Sequence, residues 1–169
     1  MPSPRPASKP RTFSGRIDGG ARGNPGPAGI GVLLEDEAGH RDEIYAYLGS
    51  TTNNVAEYAA LLVLLDRSVR LGAKRLTIRS DSLLLVKQML GEFKVKNPRL
   101  QELHAAAKRL ASKIPDVSLL HVPREENREA DRLANLAMDE RQSSEPLPEE
   151  VSNLLFSGRQ ERFSFSENG

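Results

Sequence analysis

The chain has 169 residues, the length of one ordinary domain with some additional residues. Its 24 basic and 23 acidic residues give a net charge of only +1, which is too small to drive non-specific binding to nucleic acid. Any binding of phosphate therefore requires a local basic patch or a metal ion. The absence of cysteine excludes disulfides, zinc fingers and thiol nucleophiles, and no apolar run suits a membrane span or a secretory signal, so a cytoplasmic protein without a membrane partner is expected.

The folded unit is expected to lie between residues 13 and 139. Residues 1–12 contain four prolines and three basic residues and are predicted to form a disordered basic arm. Residues 140–169 hold six acidic residues and three arginines and are predicted to form a flexible acidic tail. Within this tail, the segment Val151 to Phe156 can dock as a short helix.

Strands and helices alternate in the order β-β-β-α-β-α-α-β-α. Residue alternation and turn signals predict strands at residues 12–18, 28–34, 41–48, 75–80 and 117–122. Helical periodicity predicts helices at residues 54–71, 82–90, 98–113 and 127–140. Hairpins make the first three strands antiparallel, and helical crossovers add two parallel strands. The predicted fold is α/β, with a five-stranded mixed sheet flanked by helices.

Four carboxylates stand at strand ends or in helices that follow strands: Asp18, Glu57, Asp81 and Asp131. Each has an ordinary structural explanation: a turn for Asp18, a capping box with Asn54 for Glu57, a helix N-cap for Asp81 and solvation for Asp131. In an open α/β sheet, however, such positions converge on one crevice, where four carboxylates repel one another unless a cation lies between them. Oxygen ligands favour Mg²⁺ or Mn²⁺, and two such ions suit phosphodiester hydrolysis.

The segments around these acids resemble the four motifs of type 1 ribonucleases H, in the family's order and with similar spacing. They are Ile17 to Gly29 (IDGGARGNPGPAG), Thr51 to Glu57 (TTNNVAE), Ser80 to Ser82 (SDS) and Asn127 to Ala134 (NREADRLA). The stretches GEFKVKNPR (residues 91–99) and HVPREE (residues 121–126) are most similar to a compact, archaeal-like subgroup. The resemblance covers residues 13–139 and implies the ribonuclease H-like fold.

The resemblance implies an endoribonuclease that hydrolyses the RNA strand of RNA–DNA hybrids and leaves a 3′-hydroxyl and a 5′-phosphate. It implies two Mg²⁺ or Mn²⁺ ions per active site. Asp18 is expected to bridge both ions, and Asp131 to complete the site of the ion that orients the attacking water. Glu57 and Asp81 are expected to hold the ion on the leaving-group side, and Glu57 also to touch an RNA 2′-hydroxyl.

The resemblance also implies substrate-binding residues. Asn24, Asn53 and Asn54 match positions that contact the hybrid in its minor groove, where an amide suits the 2′-hydroxyl that distinguishes RNA from DNA. Leu83 stands where many relatives have a substrate-binding amide. The basic, Trp-rich handle helix of some relatives is missing. Residues 87–113, with seven basic and two acidic residues, are its candidate substitute, with Lys94 and Lys96 on DNA-strand phosphates, unless they form only a solvated helical face.

Two residues compete for the place of the mobile histidine that many relatives have before the last catalytic aspartate. His121 shares a strand face with Val117 and Leu119, which indicates a packing role. Arg124 follows that strand, seven residues before Asp131, where the archaeal-like subgroup has an arginine. Arg124 is therefore preferred as the auxiliary catalytic residue. A guanidinium there cannot act as a base, but it can bind phosphate through two hydrogen bonds.

Six glycines between residues 19 and 31 match neither a P-loop nor a dinucleotide fingerprint, and are interpreted as a tight hairpin that lets nucleic acid approach.

Two other functions stay open: a catalytically weak hybrid-binding module of the same fold, and a nuclease that also acts on double-stranded RNA. The presence of all four carboxylates argues against the first. The second remains because both duplexes share A-form geometry and minor-groove 2′-hydroxyls. A monomer is expected in each case.

Overall fold

The structure is a computed structural model that describes residues 10–156. The predicted arm over residues 1–9 and the end of the predicted tail, residues 157–169, lie outside the described residues. The strands are β1 (Thr12–Ala21), β2 (Gly26–Asp36), β3 (Arg41–Thr51), β4 (Arg75–Ser80) and β5 (Asp116–His121). The helices are α1 (Asn53–Arg70), α2 (Leu83–Met89), α3 (Pro98–Ala111) and α4 (Arg128–Glu140), with a 3₁₀ turn at Arg124–Glu126 and a further helical segment at residues 149–156. None of the helices within residues 10–156 has the length and apolar composition needed to cross a membrane.

The strands form one mixed sheet in the order β3-β2-β1-β4-β5. β1 and β3 are antiparallel to β2, whereas β4 is parallel to both β1 and β5. The predicted element order and mixed sheet are therefore confirmed. In the parallel pair β1–β4, Ile17 lies beside Ser80. Asp18 and Asp81, the residues that follow them, therefore emerge at the same edge of the sheet.

The two faces of the sheet are covered by different helices. α1 packs against β1 and β2 and joins α3, while α4 packs on the opposite face, mainly against β2. Two glycines allow this close packing. A methyl group at Gly19 would lie 2.4 Å from the carbonyl oxygen of Ala56 in α1, and one at Gly31 would lie 2.1 Å from that of Ala130 in α4. These two glycines thus serve helix packing rather than the nucleic-acid approach predicted for the glycine run.

The helix caps differ from the prediction. The Thr52 hydroxyl accepts the hydrogen bond from the Val55 N–H and caps α1, so the predicted capping box of Asn54 and Glu57 is wrong. Likewise, Ser82 and not Asp81 caps α2. Because hydroxyls satisfy these helix starts, the two carboxylates are free for another role.

The described part of the predicted tail packs against the domain. The hydroxyls of Ser143 and Ser144 accept hydrogen bonds from the N–H groups of Tyr47 and Tyr45 on β3, at 3.0 Å each. In the segment 149–156, Val151 and Leu155 are buried in the core. The predicted flexible tail is therefore wrong for residues 143–156, because the edge strand β3 offers unpaired N–H groups and the two apolar residues lie on one helix face. The predicted docking of Val151 to Phe156 as a short helix agrees with this part of the structure.

Candidate active site

Three carboxylates from three different elements meet where β1 and β4 end. Asp18 lies near the end of β1, Asp81 directly follows β4, and Glu57 lies in the first turns of α1. One oxygen from each of the three carboxylates lies within 4.8 Å of those of the other two. Asp18 and Glu57 keep only 9% and 8% of their surface exposed, so these charges are removed from water. The predicted convergence of these three acids is found.

Asp131 stands at the rim of this cluster. It lies in the first turn of α4, lines the same cavity and forms a side-chain hydrogen bond with Asp18. Its side chain is 34% exposed, so it is more solvated than the buried Asp18 and Glu57. The four acids thus form a close group of three, two of them buried, with a fourth at the opening.

Burial raises the pKa of the Asp18 carboxyl well above its ordinary value, and the negative charges of Glu57 and Asp81 raise it further. Burial also raises the pKa of Glu57, although the Gly19 N–H, which donates to Glu57 Oε1 at 2.9 Å, opposes this effect. Burial raises the pKa of Asp81 as well, against the lowering effects of Asn127 and Arg124. In the metal-free protein the cluster therefore retains protons, because burial and neighbouring negative charges disfavour the ionised carboxylates of Asp18 and Glu57.

The donor set fits a hard divalent cation. All donors of the cluster are carboxylate oxygens, and among the described residues Glu57 Oε2 is buried without a hydrogen-bond partner. A buried, unsatisfied carboxylate oxygen is costly unless it binds a cation. Oxygen ligands suit Mg²⁺ or Mn²⁺ better than Zn²⁺.

The cluster opens into a cavity of about 470 Å³. Besides the four acids, its walls include main chain from the end of β1 and side chains from α1, α2 and α4. They include Asn53, Asn54, Ser82, Arg124, Asn135 and Met138. Neutral amides therefore stand next to the acids on the side of α1.

Two predicted amides also join the β1–β2 hairpin to α1. The Asn53 N–H donates to Asn24 Oδ1 at 3.0 Å, and the Ala21 N–H donates to Asn53 Oδ1 at 2.7 Å. Asn53 and Asn54 line the cavity, whereas Asn24 is exposed in the hairpin turn and lies outside this lining. Within residues 10–156, the NH₂ groups of Asn24 and Asn53 have no hydrogen-bond partner, which leaves them as donors.

The structure brings Arg124, and not His121, to the cavity. Arg124 lies in the 3₁₀ turn, and its Nη2 is 3.8 Å from Asp131 Oδ1. His121 is exposed at the end of the edge strand β5. The packing role predicted for His121 is wrong, because its side chain is exposed at the end of β5.

Lys94 and Lys96 are exposed between α2 and α3, outside the cavity lining. Several other cations of the predicted basic segment have structural partners: Lys87 pairs with Glu92, Arg109 pairs with Glu150, and Arg99 donates to the Leu155 carbonyl. Fewer cations of this segment are therefore available to bind phosphate than its seven basic residues indicate.

The sequence places Asn127 at the start of a helix and of the fourth motif, but gives it no role of its own in the site. Asn127 is fully buried, and its Nδ2 donates to the Ile17 carbonyl oxygen at 2.8 Å, next to Asp18. It also lowers the pKa of the Asp81 carboxyl. In the sequence, the signal that points to Asn127 is an amide residue about one helical turn before Asp131.

Residues 16–137 match a family model described as reverse transcriptase-like. The chain is 48% identical over 124 residues to the bifunctional protein Rv2228c of Mycobacterium tuberculosis, a match that covers 72% of this chain and 34% of that protein. It is 40% identical over 125 residues to ribonuclease HI of Halobacterium salinarum, which covers 73% of this chain and 63% of the relative. The chain thus spans about a third of the length of the mycobacterial relative.

Among solved structures, the fold is similar to that of LC11-RNase H1 in complex with an RNA/DNA hybrid. The TM-score is 0.72 at 44% sequence identity, and the match covers 77% of this chain and 99% of that chain. The structural similarity therefore extends over nearly the entire chain of a protein that is in complex with an RNA/DNA hybrid.

Proposed function

The chain belongs to the reverse transcriptase-like family of ribonuclease H-like domains, and from this premise we propose that it is an endonuclease that hydrolyses the RNA strand of RNA–DNA hybrids. The observation that supports this most directly is the meeting of Asp18, Glu57 and Asp81 within 4.8 Å, beside a cavity lined by neutral amides. The similarity to a structure in complex with an RNA/DNA hybrid supports the choice of substrate. The products are a 3′-hydroxyl and a 5′-phosphate.

In this proposal, the four carboxylates hold two divalent ions, Mg²⁺ or Mn²⁺. Asp18 would contribute to both sites, Asp131 to the site on the water side, and Glu57 and Asp81 to the site on the leaving-group side. Two such ions supply an activated water and charge neutralisation at the leaving oxygen. As ligands, the carboxyls of Asp18 and Glu57 would be deprotonated, because a cation would offset the burial and the like charges that raise their pKa values.

The chain's other residues orient the substrate. The Gly19 N–H fixes one oxygen of Glu57, so that the unpaired Oε2 is the atom available for coordination. The NH₂ groups of Asn24, Asn53 and Asn54 are suited to donate to 2′-hydroxyls. The exposed Leu83 side chain supplies an apolar contact where many relatives have an amide. Arg124 binds a phosphate near the cut and then releases the product.

The catalytic unit comprises the predicted domain of residues 13–139, onto which residues 143–156 pack. All four carboxylates come from one chain, which supports action as a monomer.

The test compares cleavage of labelled RNA–DNA hybrid, double-stranded RNA and double-stranded DNA in Mg²⁺, in Mn²⁺ and in EDTA. We expect metal-dependent cleavage of the RNA strand of the hybrid, which Asp18→Asn abolishes and Asp116→Asn preserves. Asp116 is a matched control because it is exposed at the far end of the sheet. Cleavage in EDTA, or undiminished cleavage by Asp18→Asn, contradicts the metal assignment. Binding of hybrid without cleavage in either metal favours the binding module, and cleavage of double-stranded RNA at a comparable rate extends the substrate class.

A further inference from the structure

Two arginines lie directly behind the acidic cluster on the sheet. Arg16 precedes Asp18 by two residues in β1, and Arg79 precedes Asp81 by two residues in β4. Arg16 and Arg79 are Cα partners in the parallel pairing of these strands, so their side chains share one face of the sheet. Because residues i and i+2 of a strand point to the same side, Arg16 also shares this face with Asp18. Each arginine thus precedes its aspartate by about 6.6 Å along the strand direction.

Neither arginine has a counter-charge within the described residues. Arg16 Nη1 donates to the Glu126 carbonyl oxygen at 2.7 Å, and Arg79 Nη1 donates to the Ser14 hydroxyl at 3.2 Å. Both side chains are half-buried, and in residues 10–156 neither forms a salt bridge, even with the carboxylates of Glu125 and Glu126 in the neighbouring 3₁₀ turn. Like charges on paired strands repel each other, and partial burial adds a desolvation cost. This arrangement fits an anion that residues 10–156 do not supply.

The face around the arginines is accessible. α4 packs over β1, β2 and β3. On β4 and β5 the same face continues with Thr77, Ser118 and Leu120, and Leu120 is 44% exposed. The 3₁₀ turn links this face to the cavity, because it begins with Arg124, a cavity residue, and ends with Glu126, the hydrogen-bond acceptor of Arg16.

We propose that Arg16 and Arg79 form a second phosphate-binding subsite, which binds a single-stranded extension of the nucleic acid beyond the hybrid in the cavity. This inference rests on the proposed function. The path from the cavity to the arginines turns from the edge of the sheet onto its face. A duplex is too stiff for such a turn, since its persistence length is about 150 bp, whereas a single strand follows it. Guanidinium groups bind phosphate through paired hydrogen bonds.

An acidic protein segment has the same charge, but continuity with the cavity favours the nucleic-acid strand.

The experiment uses the full chain and the double variant Arg16→Gln/Arg79→Gln. The matched control is Arg70→Gln/Arg75→Gln, which removes two exposed arginines that pair with Asp66 and Asp116. One readout is kcat/KM on a short blunt hybrid and on the same hybrid with a single-stranded extension. The other readout, which needs no cleavage, is the Kd of a labelled single-stranded oligonucleotide by fluorescence anisotropy.

For the wild-type protein and the control, we expect the extension to lower KM and the oligonucleotide to bind with a marked salt dependence. The subsite variant should lose the benefit of the extension and keep its activity on the blunt hybrid. The slope of the logarithm of its binding constant for the oligonucleotide against the logarithm of the salt concentration should be smaller in magnitude by about 1.4, or about 0.7 for each phosphate that the variant no longer neutralises.

Three outcomes overturn the proposal. One is an unchanged benefit of the extension in the subsite variant. Another is an equal loss of activity on the blunt hybrid, which assigns the arginines to the cavity or to the fold. The third is arginine-dependent binding of poly-glutamate without any effect on the oligonucleotide, which assigns the face to an acidic protein. If the wild-type protein cleaves no hybrid but binds the oligonucleotide through these arginines, the proposed function fails while the subsite stands.

Discussion

The side-chain amide of Asn127 donates a hydrogen bond to the carbonyl oxygen of Ile17 at 2.8 Å, across 110 positions of the chain. Ile17 immediately precedes Asp18, and the same side chain also lowers the pKa of the Asp81 carboxyl. The main-chain oxygen of Asn127 accepts the hydrogen bond from the Asp131 N–H at 3.1 Å. One buried residue thus connects three of the elements that present the acids, which makes Asn127 a positioning residue of the site.

Asn127→Ala should weaken both the fold and the site. It leaves the Ile17 carbonyl without a donor, and such buried losses cost about 1–3 kcal/mol of the free energy of unfolding. Urea unfolding measures this term. Metal titration by calorimetry, at a temperature where the variant is fully folded, should show weaker Mg²⁺ or Mn²⁺ binding than in the wild type. Gln101→Ala, which removes an exposed amide on α3, is the control. Unchanged metal affinity in folded Asn127→Ala would mean that the amide only stabilises the fold.

The metal-free protein should become less stable as the pH rises. Burial raises the pKa of Asp18 and of Glu57 above their ordinary values of 3.8 and 4.5. Below these values, both carboxyls are protonated in the folded and the unfolded chain, and their stabilising contribution is fully present. Above them, the unfolded chain ionises first, so the free energy of unfolding falls until the pH passes the raised values. The slope is at most about 1.4 kcal/mol per pH unit for each group.

Urea unfolding in EDTA between pH 5 and pH 9 tests this, with Asp18→Asn as the matched variant. Asp18→Asn should flatten the decline, because the amide has no charge to bury, and should melt at a higher temperature than the wild type near neutral pH. Saturating Mg²⁺ or Mn²⁺ should remove most of the difference. A metal-free protein that gains stability from pH 5 to pH 9 would show that the acids are already neutralised by other groups.

Arg124 and His121 should respond differently to truncation. Arg124→Ala removes a guanidinium from the cavity and should lower kcat, with little change in melting temperature because the side chain is 81% exposed. His121→Ala should leave both nearly unchanged, because His121 is exposed and lies outside the cavity lining. Steady-state kinetics and thermal melts of the two variants test this. A crippled kcat in His121→Ala alone would reverse the two assignments.

The strand alternation and the helical periodicity predict the elements along the chain and the mixed sheet, because each buried face has a regular spacing in the sequence. The acids could also be located, since parallel strands such as β1 and β4 end at one edge. The caps could not be distinguished, since Thr52 and Asn54 have similar propensities and only the geometry of the chain selects one. The docking of residues 143–156 is not evident from composition, because it depends on the unpaired edge of β3 and on two apolar residues, Val151 and Leu155, in an otherwise polar stretch.

The last prediction concerns Lys94 and Lys96. Both are exposed and, within residues 10–156, form no salt bridge, whereas Lys87, Arg99 and Arg109 of the same segment have structural partners. If these two lysines bind DNA-strand phosphates, Lys94→Gln/Lys96→Gln should raise KM for the hybrid and leave kcat nearly unchanged. Because each neutralised phosphate releases condensed counterions, the log–log salt slope should fall by somewhat under about 1 for each lysine that binds a phosphate.

The matched control is Lys108→Gln/Lys113→Gln, which removes two exposed lysines from the other end of the segment. It should leave KM and the salt slope close to those of the wild type. Because Leu83 cannot donate a hydrogen bond to the minor groove, charge contributes more of the affinity here than in a relative with an amide at that place, and the effect of the two lysines should be correspondingly large. An equal change in both double variants would assign the effect to net charge, and an unchanged salt slope in Lys94→Gln/Lys96→Gln would mean that the hybrid is held by other residues.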